Sequence, residues 1–205
     1  MNRRWIYISV TAFFLVGIVA YFGVGYYIYN QLGNVVDSCD KHLASTPANL
    51  VNPGDWPEFD MTPFTMPTYE TVRFPSRETQ FEIAGWYVAG DPNMPAVILL
   101  DGLGGCKHAI AALVPAGMLW RNGFNVLIID LHETGDSQID DGYSTIGNDE
   151  YLDVLGAWDW LQAEKGFGES EIGVAANSLG AATAFYAFAE EPRMAAIFLS
   201  LHFAR

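Results

Sequence analysis

Basic side chains are scarce in this sequence. Ten lysines and arginines stand against 24 aspartates and glutamates, for a net charge of −14. Such a surface repels phosphate backbones, so no nucleic-acid partner is expected. Charged residues make up only 17% of the chain, and the acidity therefore says little about a substrate. Cysteine is almost absent, with Cys39 and Cys106 alone. Two distant cysteines build no disulfide framework and lack metal-ligand spacing, so they are read as free thiols, with pairing left open for an extracytoplasmic body. The glycine-rich stretch "DGLGG" at 101–105 lacks both the G-x-G-x-x-G spacing of a dinucleotide site and the lysine-serine/threonine pair of a phosphate loop. No metal and no cofactor are expected. There is no internal repeat and no low-complexity tract.

Hydrophobic residues, by contrast, make up 51% of the chain, which excludes a disordered protein. The first of them form one block. From Trp5 to Ile28 not one residue is charged. At about 1.5 Å per residue this run is long enough for a hydrocarbon core of roughly 30 Å. The alternative is a cleaved signal peptide, but the run exceeds a signal core of about 7–15 residues, and no A-x-A-like site follows promptly. Residues 1–30 are therefore read as a single-pass anchor that meets the lipid bilayer through residues 5–28. Arg3 and Arg4 place the N-terminus in the cytoplasm and the body outside it, although two arginines leave the reverse orientation open.

Residues 31–67 carry five of the ten prolines and read as an extended connector that spaces the body from the membrane and packs partly on it through Trp56, Phe59 and Phe64. The body, 68–205, alternates strands with helices. "ETVRFPS" and "FEIAGWYVAG" suit two neighbouring strands, "PAVILLDG" and "FNVLIIDL" suit buried ones, and "EIGVAA" and "MAAIFLS" follow later. Helices are expected from about His108 to Asn122, with Pro115 inside, and over "LGAATAFYAFAEE". A third covers "NDEYLDVLGAWDWLQAEKG", where Tyr151, Leu155, Trp158 and Leu161 share a face, Asn148 caps the start and Gly166 ends it. The expected fold class is α/β, a mostly parallel sheet with helices on both faces. The final strand would be an exposed apolar edge.

Residues 176–180, Ala-Asn-Ser-Leu-Gly, join the strand "EIGVAA" directly to a helix of small residues. That is the setting of a nucleophile elbow, G-x-S-x-G, with alanine for the first glycine. Ser178 is then the candidate nucleophile. The Leu179 N–H, at a helix N-terminus, is a candidate oxyanion donor. A second is the Leu103 N–H, in a loop where Gly102, Gly104 and Gly105 allow close backbone approach. Taken alone, either stretch is simply a tight turn.

The ordered series "VRFPSRETQFEIAGWYV", "VILLDGLGG", "NVLIIDLHETGDSQ", "NDEYLDVLGAWDWL" and "IGVAANSLGAATA" resembles the α/β-hydrolase fold, and within it bacterial membrane-anchored serine hydrolases of peptidase or esterase type. The resemblance covers roughly Thr68 to Ser200. Asp101 stands where the family usually has histidine, and the family's Arg-Gly-His-Gly-x-Ser loop is altered. It implies hydrolysis of a small-molecule ester or amide through an acyl-serine intermediate on Ser178, with an acid and then a histidine later in the chain. No later residues match them, so the sheet is expected to be truncated after the strand that follows the elbow helix, as in a gene fragment or frameshift. His42, His108, His132 and His202 are each read as structural or surface residues. The alternative reading is a non-catalytic or degenerate membrane protein of the same fold.

Overall fold

Apolar runs and period-two alternation resolve into a six-stranded sheet in the computed structural model, which describes residues 3–35, 39, 43–52 and 58–200. The strands are β1 (Glu70–Pro75), β2 (Glu82–Val88), β3 (Ala96–Leu100), β4 (Asn125–Ile129), β5 (Ile172–Asn177) and β6 (Ile197–Ser200). Their order across the sheet is β1-β2-β4-β3-β5-β6. β1 and β2 form an antiparallel hairpin, β2 joins β4 antiparallel, and β4, β3, β5 and β6 run parallel. Parallel strands need crossover connections, and α2 (Ile110–Arg121), α3 (Tyr151–Lys165) and α4 (Leu179–Glu190) supply them.

Alternate side chains of each strand feed opposite faces. Ile98, Leu100, Leu127, Ile129, Val174 and Ala176 meet the α3 and α4 face, where Leu155, Trp158, Leu161 and Ala184 close the core. Leu99, Val126, Ile128 and Ala175 meet α2 through Ala112, Leu113 and Ala116. Helices thus cover both faces, as expected. Gly166 ends α3 in the left-handed conformation (φ 77°), its N–H bonding the Gln162 carbonyl. β6 pairs only with β5 among the described residues, and Phe198 is 70% exposed on that edge.

The chain divides into two units, 1–34 and 35–205. The first is α1 (Arg3–Gly33), a helix long and apolar enough to be a candidate membrane span, and close to the N-terminus.

Two expectations give way here, the free thiols and the Asn148 cap, while the connector segment packs partly on the body. Val35 is buried and its N–H bonds Gly142 O (3.0 Å), Met66 is fully buried against the α2 face, and Phe59 stacks on Phe64. Prolines remove regular structure, but they leave the gain from burying a Val or Met side chain, about 1.5–3 kcal/mol, untouched. Cys39 and Cys106 are not free thiols: they form a disulfide with Cα atoms 5.7 Å apart. Sequence separation says nothing of that spacing, which the fold alone decides. Finally, Asn148 does not cap α3. Its side chain donates to Asp149 Oδ1, and Glu150 occupies the position before Tyr151 with no side-chain cap bond. His42, Trp56 and His202 lie outside the described residues.

α3 crosses β1 closely at Gly156, where an added Cβ would lie 2.4 Å from Pro75 O. Alanine in a helix ordinarily gains about 0.5–1 kcal/mol over glycine. A clash with backbone outweighs that gain, so Gly156→Ala is expected to destabilise the fold by about 1–3 kcal/mol, read as a lower urea midpoint.

Candidate active site

β5 is buried along its length until Asn177, and α4 begins at Leu179. Ser178 makes the whole turn by itself, at φ 50° and ψ −116°. A residue with a Cβ in that region carries about 1–3 kcal/mol of strain. Ser178 also stands at the N-cap of α4, where a serine hydroxyl ordinarily gains about 1 kcal/mol by bonding the first turn. It makes no such bond, and the side chain is exposed. Its neighbours have to be small. A Cβ on Gly180 would lie 2.4 Å from Asp101 O, and one on Gly102 would lie 3.0 Å from the Ser178 Cβ.

The loop after β3 folds back in a turn, with the Gly105 N–H donating to Gly102 O (2.9 Å) and Gly104 at φ 68°. Leu103, at its tip, is 44% exposed. Leu179 opens α4, so its N–H has no partner within the helix and lies at the positive end of the helix dipole. Leu103 and Leu179 line one cavity of 20 Å³, together with Gly102, Gly105, His132 and Glu150. That volume holds about one water molecule. A substrate would have to lie over the exposed Ser178 instead.

The loop after β3 is fastened by the residues that follow it, which no sequence motif singled out. Lys107 is fully buried. Its backbone N–H donates to Asp130 Oδ1 (2.6 Å) and its Nζ to Asp130 Oδ2 (2.6 Å), while Nζ also pairs with Asp136. The Asp136 N–H donates to the same Asp130 Oδ2 (2.8 Å). A Cβ on Gly135 would lie 2.2 Å from that oxygen, so only glycine lets the loop after β4 close on Asp130. The His108 Nδ1 lies 2.8 Å from Ser45 O and its Nε2 3.3 Å from Asp136 Oδ2. The hydrogen bond from Lys107 holds the Asp136 carboxyl below the usual carboxylate range against some burial, with His108 assisting. One signal was available in the sequence: an aspartate closing the apolar run "VLIID" is buried and needs a cation or several donors.

His132 is held as well. Its Nδ1 and its backbone N–H both lie 2.8 Å from Asp153 Oδ2, and its ring stacks on Phe81 at 4.9 Å. Burial alone would lower its pKa. The hydrogen bond and charge of Asp153, with Glu150 and Glu133 behind, outweigh burial and raise it above 6.5. Burial likewise acts to raise Glu150, but donors from Ser144 and Thr145 reverse the sign and keep it ionised. Among the described residues, neither His108 nor His132 hydrogen-bonds Ser178, and none of the His, Cys, Asp and Glu side chains form a group that could hold a metal.

No protein-family model matches this sequence, and no curated protein does. Solved structures do. The Pyrococcus furiosus esterase Pf2001 is similar at 25% identity and a TM-score of 0.57, over 73% of this chain and 55% of that one. The hypothetical protein PA2218 of Pseudomonas aeruginosa aligns with a TM-score of 0.61 at 19% identity, over 75% and 49%. The α/β hydrolase GrgF of Penicillium sp. sh18 aligns with 0.58 at 20%, over 64% and 45%. The chain spans about half the length of these proteins. Its fold is that of the α/β hydrolases.

The His132 site has a pH signature. A folded pKa above the unfolded value stabilises fully below about pH 6.5, and that contribution is lost as pH rises through the folded value. An NMR titration of the His132 imidazole is expected to give a midpoint above 6.5. The stability gap between wild type and His132→Asn should shrink as the pH is raised through that midpoint.

Proposed function

Proceeding from the α/β-hydrolase fold, we propose that this chain carries the nucleophile and oxyanion half of a membrane-anchored serine hydrolase acting on a small-molecule ester or amide. In this reading Ser178 Oγ attacks the carbonyl carbon, and the carbonyl oxygen, as it gains charge, accepts from the Leu103 and Leu179 N–H groups. An acyl-serine forms as the leaving group departs with a proton, and water then releases the acid. The observation that carries the reading is Ser178 itself. It is exposed, held at φ 50°, and not spent on capping α4. Strain of that kind persists only where the surroundings impose it, and it clusters at functional sites. The similarity to an esterase adds an ester as the substrate class to try first.

A second reading, a non-catalytic protein of the same fold, has one observation in its favour: no described histidine bonds Ser178. A fluorophosphonate probe separates the two. Labelling that vanishes in Ser178→Ala supports the hydrolase, and no labelling above that control supports the second reading. Gly102→Ala, whose Cβ would press on the Ser178 Cβ, is expected to slow labelling by about 10- to 100-fold.

Two features support a body outside the cytoplasm. Arg3 and Arg4 precede the apolar helix, and a buried Cys39–Cys106 disulfide suits an oxidising compartment. Protease added to intact spheroplasts is then expected to digest residues 35–205. Full protection until the membrane is permeabilised would reverse the topology.

A further inference from the structure

We infer that the Cys39–Cys106 disulfide is a positioning element of the oxyanion site, so that the site is competent only with the bond formed. The inference rests on the proposed role of the Leu103 N–H.

Cys106 follows Leu103 by three residues, and the two residues between them, Gly104 and Gly105, have no side chains to pack. Glycine is the residue with most backbone freedom to lose, so this turn, closed by the Gly105 N–H on Gly102 O and the Gly102 N–H on Asp101 Oδ1, depends on how its ends are held. Its entry is fixed by Leu100 at the end of β3. Its exit is fixed by three consecutive residues. Cys106 bonds Cys39, Lys107 grips Asp130 through both N–H and Nζ, and His108 meets Ser45 O. Two of these three ties, the disulfide and His108, lead to Cys39 and Ser45. Around Ser45 the described fastenings are its hydroxyl on the Val51 N–H, the pairing of the Thr46 and Asn49 backbones, and the Met66 N–H on Pro47 O. The disulfide therefore does two things. It tethers the loop exit directly, and it keeps Ser45 O within reach of His108. Without it the loop exit keeps Lys107 on Asp130, four residues from the donor, and the His108 contacts with Asp136 and Trp86.

Both sulfurs are buried, Cys39 at 5% and Cys106 at 1% exposure, so a spontaneous exchange is not implied. In the test, dithiothreitol supplies the two electrons. Its thiols close to a cyclic disulfide and hand their protons to the Cys39 and Cys106 sulfurs.

The experiment compares the full chain in detergent, oxidised and reduced, with Cys39→Ala/Cys106→Ala as a variant that needs no reductant. The thiol state is verified by alkylation and mass. The first readout is the rate of Ser178 labelling by a fluorophosphonate. Expected is a fall of about 10- to 100-fold in the inactivation rate constant, with the probe's KI little changed, in both the reduced and the double-alanine protein. A merely structural role would instead lower the fraction of protein that labels and leave the rate constant of the remainder unaltered. That outcome, or no change at all, overturns the inference. The second readout is amide hydrogen exchange over residues 101–106, which is expected to speed up on reduction while β3 and β5 stay protected. If Ser178 labels in neither state, the proposed function falls, and the exchange result alone decides. Unchanged exchange at Leu103–Gly105 then overturns the positioning role, and local acceleration upholds it.

Discussion

The Asp130 carboxylate, at the end of β4, joins the two loops on which the candidate site is built. It receives the Lys107 backbone N–H, the Lys107 ammonium and the Asp136 N–H, so one buried anion ties the loop after β3 to the loop after β4. The Lys107 and Asp130 side chains are both fully buried. A pair of that kind adds little net stability, because desolvation offsets most of the attraction, yet removing one partner costs about 3–5 kcal/mol. Its effect here is geometric. Ser137, one turn on, donates to Asp130 O and accepts the Ala84 N–H, which extends the same tie to β2. The strand ends around the site are thus held by polar groups with defined directions, where apolar packing would leave them free to slide.

The elbow is held by sterics instead. Gly102 and Gly180 bring the β3 loop and α4 to within contact of Ser178: a Cβ on Gly180 would run into Asp101 O, and one on Gly102 would press on the Ser178 Cβ. This close approach keeps Ser178 at positive φ, because the turn cannot relax without driving α4 into Asp101. The strain of about 1–3 kcal/mol is small beside the core that imposes it, where Leu100, Val174, Ala176 and Ala181 lie in one cluster. Two kinds of force therefore meet at one point: directional polar bonds on the side of the β3 loop and hard contacts around Ser178.

What was legible in the sequence follows from how local each determinant is. The β-branched and aromatic residues of "FEIAGWYV", the apolar run "AVILL" and the small residues after Ser178 are local patterns, and they correspond to β2, β3 and the start of α4. Gly166 as a helix stop is local too. The missed features are all contacts between distant positions. Cys39 meets Cys106, Ser45 meets His108, Lys107 meets Asp130 and His132 meets Asp153, and no spacing rule connects these pairs. Asn148 fails for a related reason. Its residue type suits a cap, but Glu150 draws the preceding loop around its own carboxylate through Ser144, Thr145 and Gly147, and the helix starts where that loop ends.

The histidines complete the argument. His108 and His132 each spend their Nδ1 side on a fixed partner, Ser45 O for one and Asp153 for the other, and each ring is packed against an aromatic, Trp86 and Phe81 respectively. Rings held that way orient loops. A general base must also present its second ring nitrogen to the serine hydroxyl, and among the described residues neither ring bonds Ser178. Under the proposal, the part of a hydrolase assembled among the described residues is the part that would stabilise charge on the substrate oxygen. In serine hydrolases at large, oxyanion and binding contributions without the triad retain roughly 10³–10⁴-fold over water. On the proposed function, the chemistry this assembly favours is that of substrates and probes with good leaving groups. For them the barrier depends most on stabilising the developing oxyanion, and least on proton transfer to the departing group.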